Sequence, residues 1–77
     1  MTTYSGTSSN DSIIGSAGND FVSGDDGNDS IWGGAGDDKL NGNLGDDRLF
    51  GGSGNDLILT NTGNDAAFGG DGNDYLS

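Results

Sequence analysis

The chain has 77 residues, including 17 Gly, 13 Asp and no Glu, against two Lys or Arg, and its formal net charge is −11. It contains no Cys, Pro or His, which excludes a disulfide framework and argues against zinc or iron as a ligand. So acidic a chain is a poor partner for nucleic acid or an anionic membrane surface, and no segment approaches the length of a transmembrane span.

The chain divides into a short lead-in, residues 1–5, and a repeat domain, residues 6–77. The lead-in has no basic region and no apolar run, so we expect no cleavable signal peptide there. From Gly6 onward one nonapeptide is written eight times without an insertion, and a period this short predicts a repeat architecture. Repeats 1 to 8 are Gly6–Ile14, Gly15–Ser23, Gly24–Trp32, Gly33–Asn41, Gly42–Phe50, Gly51–Leu59, Thr60–Phe68 and Gly69–Ser77.

The first six residues of each repeat predict a turn, and we number these turns 1 to 8 with their repeats. Gly fills the first position except at Thr60 and the fourth except at Ser9, and Gly adopts positive φ without penalty. Asn or Asp fills every fifth position, where we expect a left-handed conformation because these residue types tolerate it next best.

The last three residues of each repeat predict a short strand with its central side chain turned inward. The eighth position is always apolar: Ile13, Val22, Ile31, Leu40, Leu49, Ile58, Ala67 and Leu76. The ninth position is large and apolar in odd repeats (Ile14, Trp32, Phe50, Phe68) but Ser23, Asn41, Leu59 or Ser77 in even ones.

This alternation indicates a true period of eighteen residues. We therefore predict an all-β fold of about four 18-residue coils with two short-stranded parallel sheets. An antiparallel meander is the alternative, suggested by the hairpin-type pair Asn41-Gly42, which occurs once in eight turns.

The sixth position is Asp in every repeat: Asp11, Asp20, Asp29, Asp38, Asp47, Asp56, Asp65 and Asp74. Parallel strands lie ~4.8 Å apart, so equivalent carboxylates in successive coils would be close neighbours. Two like charges at that distance repel by roughly 3–4 kcal/mol at an effective dielectric constant of 20. We therefore expect the metal-free chain to be unfolded and the folded chain to need a cation.

Calcium suits these sites best because it accepts six to eight oxygen ligands in flexible geometry, whereas magnesium demands a small octahedron. Six gaps between stacked turns would hold up to about six ions. The predicted ligands are the eight sixth-position carboxylates and backbone carbonyls of the glycine turns. The glycines concerned are Gly15, Gly18, Gly24, Gly27, Gly33, Gly34, Gly36, Gly42, Gly45, Gly51, Gly52, Gly54, Gly69, Gly70 and Gly72. Asp25, Asp26 and Asp71 occupy turn tips, where we expect them to aid solubility.

Residues 6–77 resemble the RTX (haemolysin-type) calcium-binding repeat, whose pattern is G-G-x-G-x-D-x-U-x. The resemblance implies a right-handed parallel β-roll with calcium between adjacent coils, bound by turn carbonyls and sixth-position Asp. It also implies a protein exported by type I secretion and folded by extracellular calcium. Repeats 1 and 7 depart from the pattern, so their sites are expected to be the weakest. Because the family's C-terminal capping and secretion segment is missing, the chain looks like an excised fragment or an engineered array.

The function predicted from these features is a secreted, calcium-triggered folding module, not an enzyme. Paired-carboxylate catalysis needs two carboxylates in different environments, whereas these repeat in equivalent ones. The alternative is a calcium-dependent interaction or self-assembly module. It would use the outward-facing aromatic column of Trp32, Phe50 and Phe68, or the open strand edge at Leu76-Ser77.

Overall fold

Nine short strands wind into a parallel solenoid in the computed structural model, which describes residues 2–77. The strands are β1 (Thr2–Ser5), β2 (Ser12–Ile14), β3 (Asp20–Ser23), β4 (Ser30–Trp32), β5 (Lys39–Asn41), β6 (Arg48–Phe50), β7 (Leu57–Leu59), β8 (Ala66–Phe68) and β9 (Tyr75–Leu76). Nowhere in this described range is there a helix with the length and apolar character needed to cross a bilayer.

The strands form two sheets, with order β1-β3-β5-β7-β9 and β2-β4-β6-β8, and every pairing is parallel. Partners are eighteen residues apart, as in Val22 with Leu40 and Ile31 with Leu49. The 18-residue coil, the two parallel sheets and the count of about four turns are therefore confirmed, and the antiparallel meander is wrong.

Strand β1 lies in the segment expected to be a lead-in. It pairs with β3 in the same register as the repeats, with Tyr4 opposite Val22. Tyr4 also packs against the core, as an eighth-position residue does. Thr3-Tyr4-Ser5 thus act as the strand of a further, partial repeat, which sequence reading missed because no glycine turn precedes it.

The core is a single file of eighth-position side chains between the two sheets. Val22, Ile31, Leu40, Leu49 and Ile58 have no solvent exposure, and Ile13 and Ala67 pack against them partly buried. Each fully buried aliphatic side chain contributes about 2 kcal/mol. The inward position predicted from the sequence is confirmed along the stack, although Leu76 in the last strand is half exposed.

Backbone hydrogen bonds stack the turns in the register of the strands. The N–H of Gly33 donates to the carbonyl of Phe50 in the next coil, at 2.8 Å. The N–H of Arg48 donates to the carbonyl of Asp29 in the preceding coil, also at 2.8 Å. Because such bonds recur from coil to coil, sixth-position residues align above one another.

The left-handed residues are at the second and fourth positions, so the prediction for the fifth position is wrong. The fourth-position Gly36 and Gly54 have φ of 94° and 101°, and the second-position Gly34 has 89°. Fifth-position side chains instead connect coils: Asn10 Oδ1 accepts the N–H of Asn28 at 2.8 Å. The short Asn or Asp side chain is selected here because its oxygen reaches the next coil.

Candidate metal centre

The eight sixth-position carboxylates form two columns, one on each side of the solenoid. The odd column contains Asp11, Asp29, Asp47 and Asp65, and the even column contains Asp20, Asp38, Asp56 and Asp74. Each carboxylate from turn 3 onward reaches back to the preceding coil. Asp38 Oδ1 accepts the N–H of Asp20 at 2.9 Å, and Asp56 Oδ1 accepts the N–H of Asp38 at 2.8 Å.

The second carboxylate oxygen in the middle turns has no partner in the protein. Asp29, Asp38, Asp47 and Asp56 are at most 3% exposed. Their Oδ2 atoms, with that of Asp65, are buried and accept no hydrogen bond within residues 2–77. An unpaired charged oxygen is costly to bury, and most buried polar atoms have a partner. These five oxygens therefore call for a ligand from outside the chain.

The electrostatics of the columns lead to the same conclusion. Burial, with a smaller contribution from the carboxylates above and below in the same column, raises the pKa of Asp38 and Asp47 to about 6. A backbone hydrogen bond from the preceding coil lowers the pKa but does not offset burial. Burial also raises the pKa of Asp29 and Asp56. Without added positive charge, these groups therefore take up protons at a higher pH than an ordinary Asp does.

The first-position glycines lie beside the unpaired oxygens of turns 3 to 6, whereas turn 7 has Thr60 at this position. A Cβ on Gly33 would lie 2.6 Å from Asp38 Oδ2 and 2.9 Å from the carbonyl oxygen of Gly51 in the next coil. A Cβ on Gly24 or Gly42 would lie 2.6 Å from the Oδ2 of its own turn's Asp. In turn 4 the absent side chain leaves a carboxylate and a carbonyl oxygen around one point, as it also does in turns 1, 2 and 6.

Further carbonyl oxygens face along the stack at the second and fourth positions. A Cβ on Gly34 would lie 2.8 Å from the carbonyl oxygen of Ser16, and one on Gly36 would lie 2.7 Å from that of Gly18. The same approach recurs in later coils at Gly45, Gly52, Gly54, Gly63, Gly70 and Gly72. The gaps between stacked turns are therefore lined with backbone oxygens.

Within residues 2–77, no three acidic side chains converge closely enough to hold a metal ion by themselves. An ion in these gaps would take some oxygens from carboxylates and the rest from carbonyls and water. Calcium accepts such a mixed, all-oxygen shell in flexible geometry, while zinc and iron prefer His and Cys, which the chain lacks. The donor set therefore fits calcium.

Turns 1 and 2 satisfy their carboxylates internally. Asp11 Oδ2 accepts the N–H of Thr7 at 2.6 Å, and Oδ1 accepts the Thr7 hydroxyl at 3.1 Å. Asp20 Oδ2 accepts the N–H of Ser16 at 2.8 Å, and Oδ1 accepts the Ser16 hydroxyl at 2.8 Å. Sequence reading missed Thr7 and Ser16. The signal was available, because every other turn has Gly, Asn or Asp at the second position.

Turn 7 has the geometry of the middle turns although it lacks the first two glycines. Asn61 and Gly63 have φ of 66° and 105°, in the left-handed region, and Asp65 Oδ2 is buried and unpaired. Asn tolerates this conformation at the second position, so the departure that made repeat 7 look weak leaves the turn's backbone unchanged.

Away from the turns, the ninth-position aromatic residues form a stacked column on the outer face of the four-stranded sheet. The ring centroids of Trp32 and Phe50 are 5.3 Å apart and those of Phe50 and Phe68 are 5.1 Å apart, with near-parallel planes. Trp32 is 39% exposed and Phe68 55% exposed. On the other sheet the Lys39 ammonium lies 5.9 Å from the Phe21 ring centroid.

The fold and the columns define a class: a parallel β-solenoid whose stacked glycine-rich turns carry buried carboxylates suited to metal binding. The family model of the RTX calcium-binding nonapeptide repeat (4 copies) matches residues 5–40, 23–58 and 41–76. The chain therefore belongs to the RTX calcium-binding repeat family and is a calcium-binding repeat module. No curated protein and no solved structure matched the chain.

Proposed function

We propose that this chain is a calcium-triggered folding module of a secreted protein. The observation that carries the proposal is the set of buried Oδ2 atoms without a partner on Asp29, Asp38, Asp47, Asp56 and Asp65. Folding without a cation would bury these oxygens unpaired in columns of like charge. Bound calcium supplies positive charge and coordinates several oxygens at once.

The proposed ligands belong to stacked turns, so each ion joins two coils. In turn 4, Asp38 Oδ2 and the Gly51 carbonyl oxygen flank the same point, one from each coil. The corresponding groups of turns 3 to 8 are the remaining candidates. Since each coil contacts chiefly its neighbours, binding at one gap orders the turn that the next gap needs, and folding is cooperative.

The proposed setting is extracellular, and it rests on family membership. RTX repeats are found in secreted proteins, which the family resemblance links to type I secretion. A chain that stays unfolded at low intracellular calcium could be exported in extended form and would fold at the millimolar calcium outside the cell. We assign no catalytic role to the Asp columns, whose members occupy equivalent environments.

Far-ultraviolet circular dichroism during a calcium titration tests this proposal. In excess chelator the expected spectrum is that of a coil, and millimolar calcium should produce β structure in a cooperative transition. Magnesium at the same concentration is the matched control and should have little effect. A β spectrum of full amplitude in chelator would contradict the proposal.

The second candidate function is calcium-dependent self-association through the aromatic column of Trp32, Phe50 and Phe68. The observation in its favour is that Trp32 and Phe68 are exposed, with Phe50 half-buried between them, on a strand face whose side chains include no carboxylate. Sedimentation of the wild type and of a Trp32→Ser/Phe50→Ser variant, with and without calcium, tests it. Concentration-dependent mass in calcium, abolished by the double substitution, is expected. If the wild type stays monomeric in calcium, the aromatic column only stabilises the sheet and this second function is wrong.

A further inference from the structure

The second position separates the eight turns into two kinds. In turns 3 to 8 its residue has positive φ, as in Gly34 at 89°, Asn43 at 64° and Gly70 at 81°. In turns 1 and 2 the residue is Thr7 or Ser16, and neither is in the left-handed region. Ser and the β-branched Thr avoid positive φ, so the second-position side chain sets the backbone of the turn.

This backbone difference decides what faces the carboxylate. In turn 2 the N–H of Ser16 points at Asp20 Oδ2 and the Ser16 hydroxyl at Oδ1, both at 2.8 Å. In turn 1, Thr7 makes the corresponding contacts with Asp11. Asp20 is as deeply buried as Asp38, at 2% exposure each, but only Asp38 has an Oδ2 without a partner.

We propose that Thr7 and Ser16 take the place of calcium in turns 1 and 2, so that calcium binding begins at turn 3 in each column. The inference rests on the proposed function, because it specifies which turns of the calcium module hold an ion. Calcium at Asp20 Oδ2 would have to displace the hydrogen bond from the Ser16 N–H and turn the backbone into a conformation that Ser disfavours. The N–H that faces this oxygen also presents its positive end to an entering cation.

Turns 1 and 2, whose carboxylates accept hydrogen bonds from Thr7 and Ser16, then support the calcium-binding turns stacked on them. The N–H of Asp11 donates to Asp29 Oδ1 at 2.8 Å, and the N–H of Asp20 donates to Asp38 Oδ1 at 2.9 Å. Turns 1 and 2 therefore orient the first calcium-binding carboxylate of each column without an ion of their own.

Native mass spectrometry at saturating calcium counts the ions and tests the inference in the full chain. Ser16→Gly gives turn 2 the sequence GGAGND, close to GGAGDD of turn 4. This variant should bind one ion more than the wild type, and Thr7→Gly should also gain one. Ala17→Gly is the matched control: it adds a glycine to the same turn at an exposed third position and should leave the count unchanged.

An unchanged ion count in folded Ser16→Gly and Thr7→Gly would overturn the inference. So would failure of both variants to fold in saturating calcium, because calcium is expected to replace the lost hydroxyl. A gain of an ion in Ala17→Gly would also overturn it, since backbone freedom alone would then explain the effect. If the wild type binds no calcium at all, the proposed function fails, which is a distinct result.

Discussion

Turn 2 and turns 3 to 6 bury the same carboxylate in the same register but satisfy it differently. In turn 2 the second-position residue, Ser16, donates two hydrogen bonds to Asp20. In turn 4 the equivalent residue is Gly34 with positive φ, and Asp38 Oδ2 has no protein partner. A single side chain per turn thus decides whether the carboxylate is satisfied by the protein or requires a cation.

The largest expected difference is between Asp38→Asn and Asp20→Asn. Asp38→Asn removes charge from an unpaired position, so we expect one ion fewer and a calcium midpoint for folding raised by roughly ten-fold or more. Asp20→Asn disrupts hydrogen bonds, should cost about 1–3 kcal/mol and should leave the ion count unchanged. Calcium titration by circular dichroism with ion counting measures both.

Asp71→Asn is the control for this pair, because Asp71 is exposed at a turn tip. It should leave the calcium midpoint and the ion count close to those of the wild type. Equal effects of all three substitutions would mean that the sixth-position carboxylates have no special role.

Gly36→Ala and Gly18→Ala compare the fourth position in the two regions. Gly36 has φ of 94° and a Cβ there would approach the Gly18 carbonyl oxygen at 2.7 Å, so the substitution should destabilise the calcium-loaded fold by about 2 kcal/mol or more. Gly18 has no positive φ, and its nearest neighbour would be Ser16 Oγ at 4.0 Å. Gly18→Ala should therefore change stability by less than about 0.5 kcal/mol in urea unfolding with calcium. Equal losses in the two variants would contradict the backbone difference.

Acidification should stabilise the metal-free fold but weaken calcium binding. The pKa of Asp38 and Asp47, about 6 in the folded chain, exceeds the ordinary value of 3.8, so the folded state binds more protons. The free-energy penalty that these two ionised carboxylates impose on the metal-free fold is therefore fully present above pH 6 and decreases as pH falls from 6 towards 3.8. Calcium needs the ionised form, but the metal-free chain is expected to be unfolded with ordinary carboxylates, so the calcium concentration needed for folding should rise only as pH falls towards 3.8.

Calcium titrations at pH 4, pH 5 and pH 7 check this prediction. The folding midpoint should change little between pH 7 and pH 5, where Asp in the unfolded chain stays ionised, and should rise at pH 4. In chelator, any β structure should increase on acidification. A midpoint that rises roughly ten-fold between pH 7 and pH 5 would show that carboxylates with a pKa of about 6 exist before calcium binds, so that the metal-free chain is already folded.

The smallest expected effect is at the aromatic column, whose side chains lie on the outer strand face and not in the turns. Phe50→Ala removes two stacked contacts, with Trp32 and Phe68, and should lower stability by about 1 kcal/mol. The ion count should not change, because the ring lies on the outer strand face. Thermal unfolding in saturating calcium measures the loss, with Phe68→Ala, which removes a single stacked contact, as the comparison. A larger loss for Phe68→Ala would show that stacking does not stabilise the column.

The sequence predicted the coil, the sheets and the core because strict periodicity at the eighth and ninth positions leaves one arrangement. It did not predict strand β1, whose Tyr4 follows no glycine turn. The predicted left-handed backbone at the fifth position was wrong, because Asn and Asp suit both that conformation and a side-chain hydrogen bond to the next coil. The division between turn 2 and turn 4 has a signal at the second position, but its consequence depends on where one N–H points, which the repeat pattern does not specify.

The central claim is that buried carboxylates in turns 3 to 7 keep the chain unfolded until calcium pairs them. Amide hydrogen exchange followed by NMR tests it most directly, at the N–H groups of Asp29 and Asp38, which donate to the next carboxylate of each column. The account predicts strong protection in millimolar calcium and exchange at the rate of an unfolded chain in excess chelator. Equal protection of these two amides in chelator and in calcium would contradict it.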